Sequence, residues 1–233
     1  DYSIGIRLTI SMGKLKLGVL VSGRGTDLQS ILDAADDGKI NAEVKVVISN
    51  NKDAYALERA KKHNVDGIYI ETKGREREDY EKDIDLILKN YGVDLAIGAG
   101  WMRILTPFFV TKWKGRLINI HPSLLPSFPG TSGPKDALEY GVKITGCTTH
   151  FMSETVDSGP IIIQAAVIVR DDDTVETLAQ RVLEVEHQIL PRSIDLFEQN
   201  RIVIEGRKVK ILPGDSWKVK YPVIDGVLYS YGY

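Results

Sequence analysis

Three short stretches of this chain carry residue types that could do chemistry together. The first is Ser22-Gly23-Arg24-Gly25-Thr26-Asp27. Its glycines let the backbone turn sharply and aim N–H groups outward, and a helix starting at its end would add positive potential, which suits an anion such as phosphate. A dinucleotide fingerprint would place a third glycine at Leu28 and an acidic residue at Ser49 or Asn50, and neither is present. Monophosphate binding and a purely structural turn both remain open. The second stretch is Asn119-Ile120-His121, where residues two apart on a strand share a face. An amide and an imidazole pointing together suit an oxyanion formed when an amine attacks a carbonyl. The plainer alternative is a polar strand end whose imidazole meets a backbone carbonyl. The third is Asp157 within Val156-Asp157-Ser158-Gly159-Pro160, an ordinary turn composition. If that turn folds toward His121, its carboxylate favours the charged imidazole and gives the amine's proton a route.

The remaining candidates point to less. His63 follows Lys61 and Lys62 at a helix end and reads as a solvated terminus. His187 reads as surface or cleft, and His150 as core or as support behind a site. A zinc set of His121, His150, Asp157 and Glu186 is conceivable, but no His-Glu-x-x-His or paired-cysteine spacing supports it, so no metal is expected. Cys147, the single cysteine, excludes a disulfide scaffold and reads as a buried, inert thiol.

Positioning these stretches requires an alternation of strands and helices. Residues 15–21 are short, β-rich and stopped by the glycine loop; from Asp27 the apolar spacing turns helical through Leu28, Ile31, Leu32 and Ala35 and ends at Gly38. Strands are predicted at 44–49, 67–70, 95–98 and 117–120, with helices at 54–63 and 77–91. Strands separated by helices need crossovers, so this half is expected to be Rossmann-like: a doubly wound, mainly parallel sheet with helices on both faces and ligands beyond its carboxyl edge. Pro122, Pro126, Pro129 and Pro134, with Gly130 and Gly133, predict an irregular loop that cannot be helical, followed by a short helix at 136–140. Strands at 144–151 and 161–169 should form an antiparallel extension. Asp173 with Glu176 predicts a capping box opening a long helix to Gln199, and the tail offers strands at 202–205 and 209–212. One domain over 12–233 is expected, with 1–11 an irregular leader ahead of Met12.

The chain has 233 residues, 43% hydrophobic and 27% charged, with 30 basic and 32 acidic side chains for a net charge of −2. This balance argues against a nucleic-acid groove or a polybasic membrane anchor. No apolar run approaches the roughly 18 residues of a membrane span, and no signal peptide is legible. Small-molecule partners, a cytoplasmic location and a monomer or homodimer are expected.

Taken together, Asn119-Ile120-His121-Pro122-Ser123-Leu124-Leu125-Pro126, Gly146-Cys147-Thr148-Thr149-His150-Phe151 and Asp157-Ser158-Gly159-Pro160 resemble the folate-dependent formyltransferase family. The stretches 21–29 and Gly100-Trp101-Met102-Arg103-Ile104-Leu105 are similar to the phosphate loop and folate segment of its members that act on glycinamide ribonucleotide. The likeness runs over about residues 16–200.

The resemblance implies transfer of a formyl group from 10-formyltetrahydrofolate, as co-substrate and without a metal, to the amine of glycinamide ribonucleotide in purine synthesis. It implies that Asn119 holds the formyl oxygen, His121 is the general acid, and Asp157 supports His121 and proton transfer. It assigns the ribonucleotide to Gly25, Thr26 and Asp27 through backbone N–H groups and to Leu183, Glu184, Val185 and Glu186, with Glu186 at the ribose. It assigns the folate to Met102, Arg103, Ile104 and Leu105, to Ser153, Glu154, Thr155, Val156 and Asp157, to Asn119, and to Arg77 at the glutamate tail. Pro134 stands where relatives often carry a histidine, and Arg24 adds a cation to the phosphate loop. Methionyl-tRNA formyltransferase shares the catalytic residues but carries an added C-terminal domain for tRNA, and formyltetrahydrofolate hydrolase an N-terminal regulatory one; this chain is expected to have neither. A sugar-phosphate-binding module without catalysis is the alternative from another class.

Overall fold

The computed structural model describes residues 13–214 and 221–230; the expected leader at 1–11 and Met12 lie outside these. The chain alternates β1 (Leu15–Val21), α1 (Thr26–Asp36), β2 (Ala42–Ser49), α2 (Tyr55–Lys62), β3 (Asp66–Tyr69), α3 (Arg77–Asn90), β4 (Leu95–Gly98), α4 (Pro107–Lys112) and β5 (Leu117–His121). It continues as α5 (Gly133–Tyr140), β6 (Ile144–Phe151), β7 (Ile161–Ile168), α6 (Val175–Glu198), β8 (Ile202–Glu205), β9 (Lys208–Ile211) and β10 (Val227–Tyr229).

Eight strands form one sheet in the order β10-β7-β6-β5-β4-β1-β2-β3. The five strands from β3 to β5 are parallel, whereas β6, β7 and β10 are antiparallel. β1 and β4 are apolar along nearly their whole length because helices cover both faces. On one face Leu17, Val19 and Val21 meet Leu28 and Ile31 of α1 and Val182, Ile189 and Ile194 of α6. On the other, Leu20, Val46 and Ile48 meet Tyr80, Ile84 and Leu88 of α3 and Phe109 and Trp113 around α4. At β1 and β4 the strand order reverses, which opens a crevice beyond their carboxyl ends. Among the described residues no helix is long and apolar enough to cross a membrane.

Several local expectations are corrected. Gly133 and Pro134 belong to the first turn of α5 instead of the loop; proline is tolerated there because the first helical N–H has no partner to lose. The capping box of α6 pairs Thr174 with Thr177, not Asp173 with Glu176. The helix starts one residue late, and Asp173 instead accepts the Arg170 N–H and the Arg181 guanidinium. α4 and β10 were not legible in advance. Within the tail, the two expected strands, β8 and β9, pair as an antiparallel hairpin, and β10 joins the sheet edge beside β7, where Tyr229 stacks on Tyr221 at 4.0 Å.

Candidate active site

β5 and β6 pair so that Asn119 stands opposite His150 and His121 opposite Thr148. Residues paired across antiparallel strands share a face, as do residues two apart, so these four side chains converge. Thr148 Oγ1 donates to the Ser123 carbonyl (2.7 Å) and accepts the Leu125 N–H (3.2 Å), which pins the proline-rich loop against the sheet.

That loop brings the Phe128 carbonyl to 2.8 Å from His121 Nε2. Because a carbonyl only accepts, Nε2 carries a proton. His121 Nδ1 faces Asp157 Oδ2 at 3.7 Å, beyond a formed hydrogen bond. A carbonyl thus holds Nε2, and Nδ1 faces a carboxylate with room to serve another atom. Asp157 adopts left-handed backbone geometry (φ 52°), and its Oδ2 accepts the Gly130 N–H at 2.8 Å. The turn and the carboxylate facing His121 are thus two aspects of one residue.

His150 is almost wholly buried, and burial lowers its pKa from the ordinary imidazole value. Its Nδ1 lies 3.0 Å from the Phe151 carbonyl, so the Nε2 lone pair faces Asn119 Nδ2 at 3.4 Å. A neutral imidazole thereby orients the Asn119 amide, leaving its second N–H for another acceptor. Asn119 Oδ1 rests against Gly98, where a Cβ would come within 2.7 Å. The sequence left His150 between core and support; the β5–β6 register is the signal that decides it.

Around these groups lies a cleft of about 320 Å³ that includes Asp27, Glu186, Trp101, Met102 to Leu105 and Ser153 to Asp157. Only Leu105 of the apolar segment is buried; Met102 and Ile104 are 63% and 52% exposed and face Val156, 50% exposed, around the opening. Exposed apolar side chains rimming a pocket fit a flat aromatic ligand better than a core segment. Arg103 lines the cleft, whereas Arg77, first residue of α3, does not.

The phosphate-loop candidates stand at the N-terminus of α1. Carbonyls of Gly23 and Arg24 are tied back to Ala56 N–H (3.1 Å) and Arg59 Nε (2.7 Å), which leaves the loop's opposite side for N–H groups. Gly25 is left-handed (φ 73°), and a Cβ there would lie 2.6 Å from the Ala56 Cβ. On α6, a turn of 100° per residue separates the assigned neighbours. Glu186 reaches the cleft and Leu183 is half-buried. Val185 is buried, and with Glu184 it lines a separate depression beside Arg170 and Arg181. Glu184 and Val185 do not line the cleft that Glu186 reaches.

Asp27 and Glu186 are both buried carboxyls. Burial pushes the Asp27 carboxyl up to about 7; burial and then the Asp27 charge raise that of Glu186. Asp27 Oδ1 has no hydrogen-bond partner, and His187 Nε2 lies 3.6 Å away; burial also lowers the pKa of His187. Because folding raises the Asp27 pKa, the folded chain holds a proton that the unfolded chain releases, so stability falls as pH climbs from about 4 through 7. Asp27→Asn removes the Asp27 share of this slope, leaving that of Glu186. Melting curves should show a gain of several degrees at pH 8, at roughly 2–4 °C per kcal/mol, and little at pH 5. Equal shifts at both pH values would contradict the assignment.

His63 is half-buried and paired: Nδ1 meets Asp36 at 2.8 Å and Nε2 meets Gln29 at 3.1 Å, tying α2 to α1. Cys147 is fully buried, and burial raises its thiol pKa. Among the described residues no group of three or more His, Cys, Asp or Glu is placed to hold a metal ion.

Residues 15–194 match the formyl transferase family model. The chain belongs to the formyl transferase family. It is 43% identical over 184 residues, 78% of this chain and 18% of the relative, to the trifunctional purine biosynthetic protein adenosine-3 of Homo sapiens. It thus spans about a fifth of that relative's length. It is 40% identical over 189 residues to the phosphoribosylglycinamide formyltransferase of Escherichia coli (strain K12), covering 81% of this chain and 89% of that protein. The crystal structure of glycinamide ribonucleotide transformylase 1 from Symbiobacterium toebii is similar with a TM-score of 0.85 and 47% identity, covering 91% of this chain and all of that one.

Proposed function

We propose that this chain transfers a formyl group from 10-formyltetrahydrofolate to the amine of glycinamide ribonucleotide, a step of purine biosynthesis. The observation that carries the reading is the meeting of Asn119, His121 and Asp157 in one cleft, bounded by the first turn of α1 at Asp27 and by the exposed Met102, Ile104 and Val156. The relatives named above support the choice of substrates.

In this reading the ribonucleotide phosphate takes the backbone N–H groups of Gly25, Thr26 and Asp27, where helix-terminal donors favour an anion. Glu186 accepts from the ribose hydroxyls. The pterin lies against Met102, Ile104 and Val156, and Arg103 and Arg77 offer cations to the glutamate tail. When the amine attacks the formyl carbon, the Asn119 amide donates to the developing oxyanion and His121 supplies a proton. Asp157 balances the protonated His121 and accepts the amine's proton, while the proton from His121 goes to the folate nitrogen as its bond to the formyl carbon breaks.

The test is a formyl-transfer assay with purified protein, following tetrahydrofolate release with and without glycinamide ribonucleotide. Ribonucleotide-dependent turnover supports the reading. Turnover without an acceptor would assign a hydrolase, and none with either would leave a binding module. Gly25→Ala should raise the ribonucleotide KM by about tenfold with little change in kcat. The added Cβ strains a left-handed residue by about 1–2 kcal/mol and pushes the loop off α2, so an unchanged KM would place the phosphate elsewhere.

A further inference from the structure

Ser22, directly after β1, joins two loops that otherwise serve different ends of the cleft. Its hydroxyl donates to Asn50 Oδ1 at 2.6 Å and accepts the backbone N–H of Met102 at 2.9 Å. A serine hydroxyl has one proton. With that proton donated in a hydrogen bond to Asn50 Oδ1, the oxygen lone pairs are aimed, and the Met102 N–H meets one of them. The segment is held again at Thr106, whose N–H donates to Glu81 Oε1 at 2.8 Å and whose hydroxyl donates to Oε2. Between these anchors stand Arg103 and Ile104, on the wall of the cleft.

The other side of Ser22 is the loop to α1. Ser22, Gly23, Arg24 and Gly25 are consecutive, and Asn51 Nδ2 reaches the Ser22 carbonyl at 3.5 Å. An anion on the N–H groups of Gly25 to Asp27 restrains this loop, and with it the position of the Ser22 oxygen. Position matters because a hydrogen bond weakens steeply with lost alignment.

We propose that Ser22 is a positioning residue that couples the two substrate subsites, so that phosphate at the start of α1 favours the folate-competent arrangement of residues 101–105. The inference rests on the proposed substrates and deepens that reading. Coupling of this kind is reciprocal: whatever factor the ribonucleotide adds to folate affinity, the folate adds to ribonucleotide affinity.

The experiment titrates tetrahydrofolate, which carries no formyl group to transfer, into the full chain with and without saturating glycinamide ribonucleotide, and then reverses the order. In the unaltered protein the ribonucleotide should tighten tetrahydrofolate binding by about fivefold or more, and the reverse titration should give the same ratio. Ser22→Ala should bring the ratio to within about twofold of one, Ser22→Thr should restore it, and Asn50→Ala should lower it by freeing the hydroxyl to rotate. A merely structural serine would alter both affinities and leave their ratio intact. A ratio of one in the unaltered protein, or an undiminished ratio in Ser22→Ala and Asn50→Ala, overturns the coupling while formyl transfer stands. Failure of both ligands to bind overturns the substrate reading and the coupling with it.

Discussion

His121→Ala should lower kcat by about 10²–10⁴-fold, the range for losing a positioned general acid, while ribonucleotide affinity changes less than about twofold. Asn119→Ala should cost about 10²–10³-fold, as for one oxyanion donor. The split follows from position: both side chains lie at the end of β5, whereas the phosphate donors proposed above stand at the start of α1. Some stability will go too, because His121→Ala leaves the Phe128 carbonyl without its donor, a loss of about 1–3 kcal/mol for a buried acceptor. Turnover and binding must therefore be measured below the melting transition of the variant. Near-normal kcat in either variant would remove it from the transition state and leave a polar strand end capped by a carbonyl.

The sheet was legible because its central strands are buried on both faces, which writes them as apolar runs such as 15–21 and 95–98 between helical periods. α4 escaped because six residues give too little period to read, and β10 because three residues do. Asn119 and His121 could be placed on one face from their spacing alone. Their meeting with Asp157 could not, since it depends on a left-handed turn and on the Gly130 N–H that holds the carboxylate. The same gap applies to Glu184 and Val185, which neighbour Glu186 in sequence but line a different depression, because a helix sends only every third or fourth side chain to one side. His63 shows the converse, a residue judged by its own helix end when a neighbouring helix supplied its partners.

Asp157→Asn separates charge from shape. Asparagine tolerates left-handed geometry as aspartate does, and its carbonyl oxygen can still accept the Gly130 N–H, so the turn persists and the fold should melt within a degree or two of the parent. What disappears is the negative charge 3.7 Å from His121 Nδ1. The protonated His121 that serves as the acid then lacks its counter-charge, and the amine's proton lacks an acceptor. We expect kcat to fall by about 10²-fold, because the counter-charge and the proton acceptor are lost together. Asp157→Ala should do the same and also destabilise the chain, since Gly130 loses its acceptor; the difference between the two variants measures the turn alone. An Asp157→Asn enzyme with parental kcat would reduce Asp157 to a residue that shapes the loop, and proton transfer would have to run through His121 and solvent.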